Sequence, residues 1–144
     1  MRETKLGFKI YYLSKLIHNN IDKNRSEEDF TGMQGRVLHF LLGQEGKCEI
    51  FQKDIEFEFQ IKRSTATELL KALEEKEYIK RVPTSYDGRL KRIYLLPKAR
   101  YLAPKVEQQV NVIDEIIKTN ITEQDLKIFT EVLDKMIDNM KKVD

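Results

Sequence analysis

A mainly helical fold carrying one small β-hairpin is predicted by three observations. Apolar residues recur at three- and four-residue spacing through most of the chain, the signature of one-sided helices. A single turn-rich link, Pro83-Thr84-Ser85-Tyr86-Asp87-Gly88-Arg89, separates two short runs that alternate in part. Charged residues make up 35% of the 144 positions and apolar ones 40%, against roughly 25% charged in an average globular protein, so the core is lean and the helices strongly amphipathic. This length suits one domain, or one domain with an appended oligomerisation element, and excludes two independent catalytic lobes.

The first helix is predicted from Thr4 to about Asp22, with Leu6, Ile10, Leu13, Ile17 and Ile21 at helical spacing and Phe8, Tyr11, Tyr12 and Leu16 widening the stripe. The polar run Asp22 to Asp29 breaks it. Thr31 then suits an N-cap for a second helix carrying Met33, Val37, Leu38, Leu41 and Leu42, which Gly43 and Gly46 end. Residues Ile50 to about Phe59 read as a short third helix, with a strand as the competing reading. After the break Gln60-Ile61, the segment Lys62 to Leu73 places Ala66, Leu69, Leu70 and Leu73 on one face of a fourth helix.

Tyr78-Ile79-Lys80-Arg81-Val82 and Leu90-Lys91-Arg92-Ile93-Tyr94-Leu95 form the two hairpin strands. Pro97 opens a fifth helix with Leu102, Val106, Val110, Ile113 and Ile117 in phase, and Pro104 is expected in its first turn. Thr122 and Asp125 make a capping-box-like start for a last helix bearing Leu126, Phe129, Leu133, Met136 and Met140. The middle of this order, helix, helix, hairpin, is a helix-turn-helix followed by a wing. Residues 31–96 are therefore assigned to that unit, and 1–30 with 97–144 to a helical dimerisation region.

The formal net charge of +2 hides an uneven distribution. From Gln60 to Arg100 eleven basic residues face five acidic ones, a local +6, while the rest of the chain sums to −4. A basic middle in an acidic frame concentrates a positive field suited to a polyanion. A helix entering the major groove needs short polar and basic side chains at its leading end, and Lys62, Arg63, Ser64, Thr65 and Thr67 supply them. Arg89 lies on a thin loop between strands bearing Lys80, Arg81, Lys91 and Arg92, where it can enter a narrow, electronegative minor groove. Asp87, two residues earlier, suits a brace for the turn or for an arginine. Lys53 on the third helix is a candidate phosphate contact, and Lys91 on the wing a further candidate DNA contact.

At these residues the chain resembles the MarR family of transcriptional regulators. The resemblance rests on Phe30-Thr31 with Gln34 and Val37-Leu38, on Arg63-Ser64-Thr65-Ala66-Thr67 with Leu73-Glu74, on Tyr78-Ile79-Lys80-Arg81, and on Asp87-Gly88-Arg89 before Ile93-Tyr94-Leu95. It spans essentially the whole chain, and the Asp-x-Arg wing is its most specific part. Two departures stand out: Glu77 takes the place of a usual glycine before the first wing strand, and Leu96-Pro97-Lys98-Ala99 replaces a leucine-threonine pattern. The resemblance implies a winged helix-turn-helix homodimer on a pseudo-palindromic duplex. Arg63, Ser64, Thr65 and Thr67 then correspond to the recognition helix, and Asp87 and Arg89 to the wing. It also implies a repressor that releases DNA on sensing a small aromatic or lipophilic effector; the oxidant sensing of some members relies on a cysteine near the start of the first helix, where this chain has none. Tyr12, Arg36 and His39, where the first, second and fifth helices are expected to meet, are the candidate effector contacts.

Other classes find less support. No glycine-rich phosphate loop, His-Glu-x-x-His or nucleophile elbow is present, so no enzymatic chemistry is assigned. A winged module that binds protein would not need the basic recognition face. One cysteine, Cys48, and two histidines, His18 and His39, exclude an internal disulfide framework and leave little for a metal cluster. No cofactor is implied. No run approaches the roughly 20 apolar residues of a membrane span, and no signal-peptide pattern follows Met1, so a cytoplasmic location is expected.

Overall fold

The computed structural model describes residues 5–23 and 32–143. The expected N-cap at Thr31 and the polar run before it lie outside the described residues, except that the first helix continues through Asp22 and Lys23. The element order is α1 (Leu6–Lys23), α2 (Gly32–Gln44), α3 (Gln52–Phe59), α4 (Arg63–Glu75), β1 (Ile79–Pro83), β2 (Lys91–Leu95), α5 (Pro97–Lys118) and α6 (Glu123–Lys141). Two compact units divide the chain, Met1–Val110 and Asn111–Asp144. Among the described residues no helix is long and apolar enough to cross a membrane.

The core of the first unit is built from the faces that the periodicity marks. Val37, Leu38 and Leu41 of α2, Ile55 of α3, Leu69, Leu70 and Leu73 of α4, Ile79 of β1 and Ile93 and Leu95 of β2 are buried together with Ala99, Leu102 and Val106 of α5. At about 25 cal/mol per Å² of apolar surface, such burial is what holds short elements in place. Phe40 and Phe59 meet edge to face at 5.8 Å on the margin of this core.

Local chemistry sets the helix ends. The third segment is helical because Asp54 accepts a hydrogen bond from the Phe51 backbone N–H at 2.8 Å, so the chain turns into α3 at Gln52, and Ile55 anchors it. Gln60 adopts a left-handed conformation (φ 49°) that ends α3, with its N–H on the Phe57 carbonyl and that of Ile61 on Glu56. Helix α4 ends in the same way: the Tyr78 N–H reaches the Leu73 carbonyl and the Glu77 N–H that of Glu74, with Glu77 at φ 63°. Position 77 is thus the left-handed residue of a Schellman turn, the place glycine fills at no steric cost.

The hairpin is antiparallel, with Ile79 opposite Leu95, Arg81 opposite Ile93 and Pro83 opposite Lys91. One face carries the buried Ile79, Ile93 and Leu95, whereas Lys80, Val82 and Tyr94 are exposed on the other. The Ile93 N–H also donates to the Ile50 carbonyl at 2.8 Å, which fastens β2 to the chain entering α3. One expectation is corrected here. Pro104 is not in a first turn: α5 begins at Pro97, so Pro104 lies two turns inside the helix, where it offers no N–H to the carbonyl of Arg100.

In the second unit the capping expectation holds, since the Thr122 hydroxyl accepts from the Asp125 N–H at 3.1 Å. Leu126, Leu133 and Met136 on α6 are half-buried, while Phe129 and Met140 are exposed.

Candidate nucleic-acid interface

Helix α4 presents one face to the core and the other to solvent. Its leading residues Arg63, Ser64 and Thr65, and Lys62 at the N-cap, are exposed. Buried Ala66, Leu69, Leu70 and Leu73 fix its orientation from behind. Beside it, α3 and the wing enclose a cleft of about 510 Å³. Lys53, Arg63, Thr67, Arg81, Arg89 and Lys91 line this cleft together with Glu56, so the lining is dominated by cations. Five residues named from the sequence, Lys53, Arg63, Thr67, Arg89 and Lys91, therefore come together around one concavity. Lys62, Ser64 and Thr65 are not in its lining.

Thr67 has a second job. Its hydroxyl donates to the Arg63 carbonyl at 2.8 Å and accepts from Gln52 Nε2 at 2.9 Å, while the same amide also reaches the Arg63 carbonyl at 3.3 Å. Gln52 thus pins the start of α3 to the first turn of α4. Sequence reasoning missed Gln52, because nothing in its neighbourhood marks a partner 15 positions away. Lys53 is exposed, with its ammonium 5.8 Å from the centre of the Phe51 ring.

At the wing tip, Asp87 Oδ1 accepts from the Arg89 backbone N–H at 3.0 Å and from Arg89 Nε at 3.3 Å. The Arg89 side chain is nevertheless 93% exposed. Asp87 thus aims the arginine without covering it. The turn itself is closed by Thr84, whose hydroxyl donates to the Asp87 carbonyl at 2.6 Å and whose N–H reaches the Leu90 carbonyl at 2.9 Å. Arg81, although it lines the cleft, is paired with Glu74.

The three candidate effector residues are placed on two helices. Tyr12 lies on α1 with an exposed side chain. Arg36 is half-buried on α2, one Nη in reach of the Met33 sulfur at 3.8 Å. His39, also on α2, shares a 2.8 Å hydrogen bond with Glu107 of α5. The α2–α5 meeting that the sequence anticipates thus runs through a carboxylate, Glu107, that it does not single out. Cys48 is exposed, its thiol 3.5 Å from Gln44 Oε1. Among the described residues, no group of three or more histidine, cysteine or acidic side chains is placed to hold a metal ion.

Helix-turn-helix, exposed polar helix start and basic hairpin together define a winged helix-turn-helix protein. The model of the MarR family matches residues 28–90, so the winged-helix segment of this chain is similar to that family. Solved structures extend the likeness in fold over nearly the whole chain. The transcription regulator MarR from Oenococcus oeni PSU-1 is 28% identical, with a TM-score of 0.76 over 93% of this chain and 99% of that one. MepR of S. aureus, in a structure with DNA, is 24% identical with a TM-score of 0.85 over 95% and 99%. A mutant MarR of E. coli, in a structure with operator DNA, is 19% identical with a TM-score of 0.78 over 91% and 92%. No curated protein matches the chain in sequence.

Proposed function

We propose that the protein is a sequence-specific DNA-binding transcriptional regulator that works as a homodimer on a pseudo-palindromic operator. The observation that carries this reading is the joint exposure, around one basic cleft, of the start of α4 and the Asp87-braced Arg89. Arg63, Ser64 and Thr65, with Lys62 at their head, read the major groove. Arg89 enters the minor groove, and Lys53 and Lys91 meet phosphates. The resemblance to MepR and to the E. coli MarR, both solved with DNA, supports the assignment.

Regions 1–30 and 97–144 form the dimerisation part. Support for this comes from apolar side chains left uncovered in a single chain: Phe8, Tyr11 and Tyr12 on α1, and Phe129 and Met140 on α6. Patches of this kind mark interaction surfaces. A second copy covers them and sets the two recognition helices about one duplex turn apart.

The protein acts as a repressor that responds to a small aromatic or lipophilic effector held near Tyr12, Arg36 and His39. A ligand that favours the mismatched spacing of the recognition helices lowers DNA affinity by its differential affinity for the two states. Selecting bound duplexes from a random library at two salt concentrations tests the central claim. Enrichment of an inverted repeat, with affinity falling as salt rises, supports it; failure to enrich any sequence overturns it.

A further inference from the structure

The wing loop carries a tie from outside the hairpin that DNA contact alone does not explain. Glu49 sits in the link between α2 and α3, and its two carboxylate oxygens point in different directions. Oε2 accepts from the Tyr86 hydroxyl at 3.2 Å, and Oε1 lies 3.5 Å from Arg92 Nη1. Tyr86 and Arg92 flank Arg89 three residues before and three residues after. The clasp is not an isolated side-chain event, because the next residue, Ile50, accepts the Ile93 N–H through its carbonyl at 2.8 Å. Arg92 has few other options: its guanidinium stacks 4.6 Å from the centre of the Tyr94 ring, and its Nε is buried with no hydrogen-bond partner. Glu49 is therefore the carboxylate that this guanidinium meets.

We propose that Glu49 is a positioning residue for the wing: by clasping Tyr86 and Arg92 it fixes both legs of the loop that presents Arg89. The proposal rests on the reading of the cleft as a DNA-binding site. It runs against plain electrostatics, which is what makes it testable. An acidic group beside a basic DNA-binding surface repels phosphate, so deleting its charge should tighten binding if charge were its only role. A clasp predicts the opposite sign. Freed from Glu49, the loop regains conformations that must be given up again when Arg89 enters a groove.

The experiment compares the full chain, Glu49→Ala, Tyr86→Phe, Arg89→Ala and the Glu49→Ala/Arg89→Ala double variant. Binding is followed by fluorescence anisotropy on the duplex selected by the wild type, with thermal unfolding recorded for each variant. Glu49→Ala should weaken binding on the order of fivefold, Tyr86→Phe by a smaller factor, and the Glu49 effect should fall below about twofold once Arg89 is absent. A DNA-free readout accompanies these. The Tyr86 phenol is held above its ordinary ionisation range, first by desolvation and next by the Glu49 carboxylate, so Glu49→Ala should lower the pH at which its phenolate absorbance appears. Glu49→Ala binding as tightly as the wild type or more tightly overturns the proposal alone. So does a weakening that persists undiminished without Arg89. If the phenol responds but the wild type binds no duplex, the DNA-binding reading falls and takes the proposal with it. Tyr86→Phe, which removes one hydroxyl from an exposed ring, keeps the test decisive should Glu49→Ala unfold.

Discussion

Arg81, on the first wing strand, is held by Glu74, in the last turn of α4, through three hydrogen bonds. Nη2 reaches Oε1 at 3.1 Å, Nε reaches Oε2 at 3.3 Å, and the Arg81 backbone N–H also donates to Oε2 at 3.2 Å. The fork-like guanidinium matches the planar carboxylate, so the contact fixes an angle as well as a distance. Helix α4 and the wing are thereby tied at their shared base.

This tie predicts a pH dependence. The Arg81 side-chain hydrogen bonds hold the Glu74 carboxyl below its ordinary value of 4.5. A carboxyl depressed by folding contributes stability that is present above the unfolded value and lost as pH falls through the folded one. Glu74→Gln should therefore cost about 1 kcal/mol at neutral pH, a figure already discounted for the partial exposure of the pair. The gap between variant and wild type should close below pH 4.5. Denaturant unfolding at the two pH values checks this; a gap that stays constant counts against the ion pair.

The left-handed Glu77 predicts a stabilising substitution. Its φ of 63° strains any side chain with a Cβ, so Glu77→Gly should raise stability by about 0.5–1 kcal/mol. Glu77→Ala, which keeps the Cβ, should not. Thermal midpoints of the two variants decide the matter.

At the wing tip, Arg89→Ala should weaken DNA binding by about 1–3 kcal/mol, with the larger loss on duplexes having narrow A/T-rich minor grooves. Lys53→Ala should weaken all duplexes alike and reduce the salt dependence of binding. Affinity measured on A/T-rich and G/C-rich sites separates the two roles. Equal, sequence-independent losses would remove Arg89 from the minor groove.

The core offers a check on the fold itself. Leu70 is fully buried in the core cluster, so Leu70→Ala should destabilise by about 2–5 kcal/mol. Loss of cooperativity in its unfolding curve would show that α4 also organises its neighbours.

Much of this was legible in the sequence where one period or one turn residue dominates. The four apolar residues that define α4, Ala66, Leu69, Leu70 and Leu73, are all buried. Turn chemistry marks the hairpin, and its strands begin and end within about a residue of where alternation places them. The departure at Glu77 is visible as a missing glycine, but only the backbone shows that the position is left-handed. Illegible were the polar pairs made by packing. Gln52 with Thr67, Glu49 with Tyr86 and His39 with Glu107 lie 15, 37 and 68 positions apart. No periodicity links such partners; each depends on elements first docking through apolar faces. Pro104 differs for a simpler reason: the helix opens at Pro97 as expected, and a proline seven positions further on lies beyond its first turn.

The Thr84–Leu90 hydrogen bond that closes the wing loop has a consequence for insertions and deletions. Beyond it, changes of length at Ser85 or Gly88 leave Ile93 and Leu95 facing inward, whereas Tyr86, Asp87 and Arg89 are held by their own hydrogen bonds. A single-residue insertion within either strand is different, because a shift of one flips every side chain to the opposite face. A small change of length at the tip is thus expected to move Arg89 without disturbing the core, while the hairpin legs tolerate only exchanges that respect their parity.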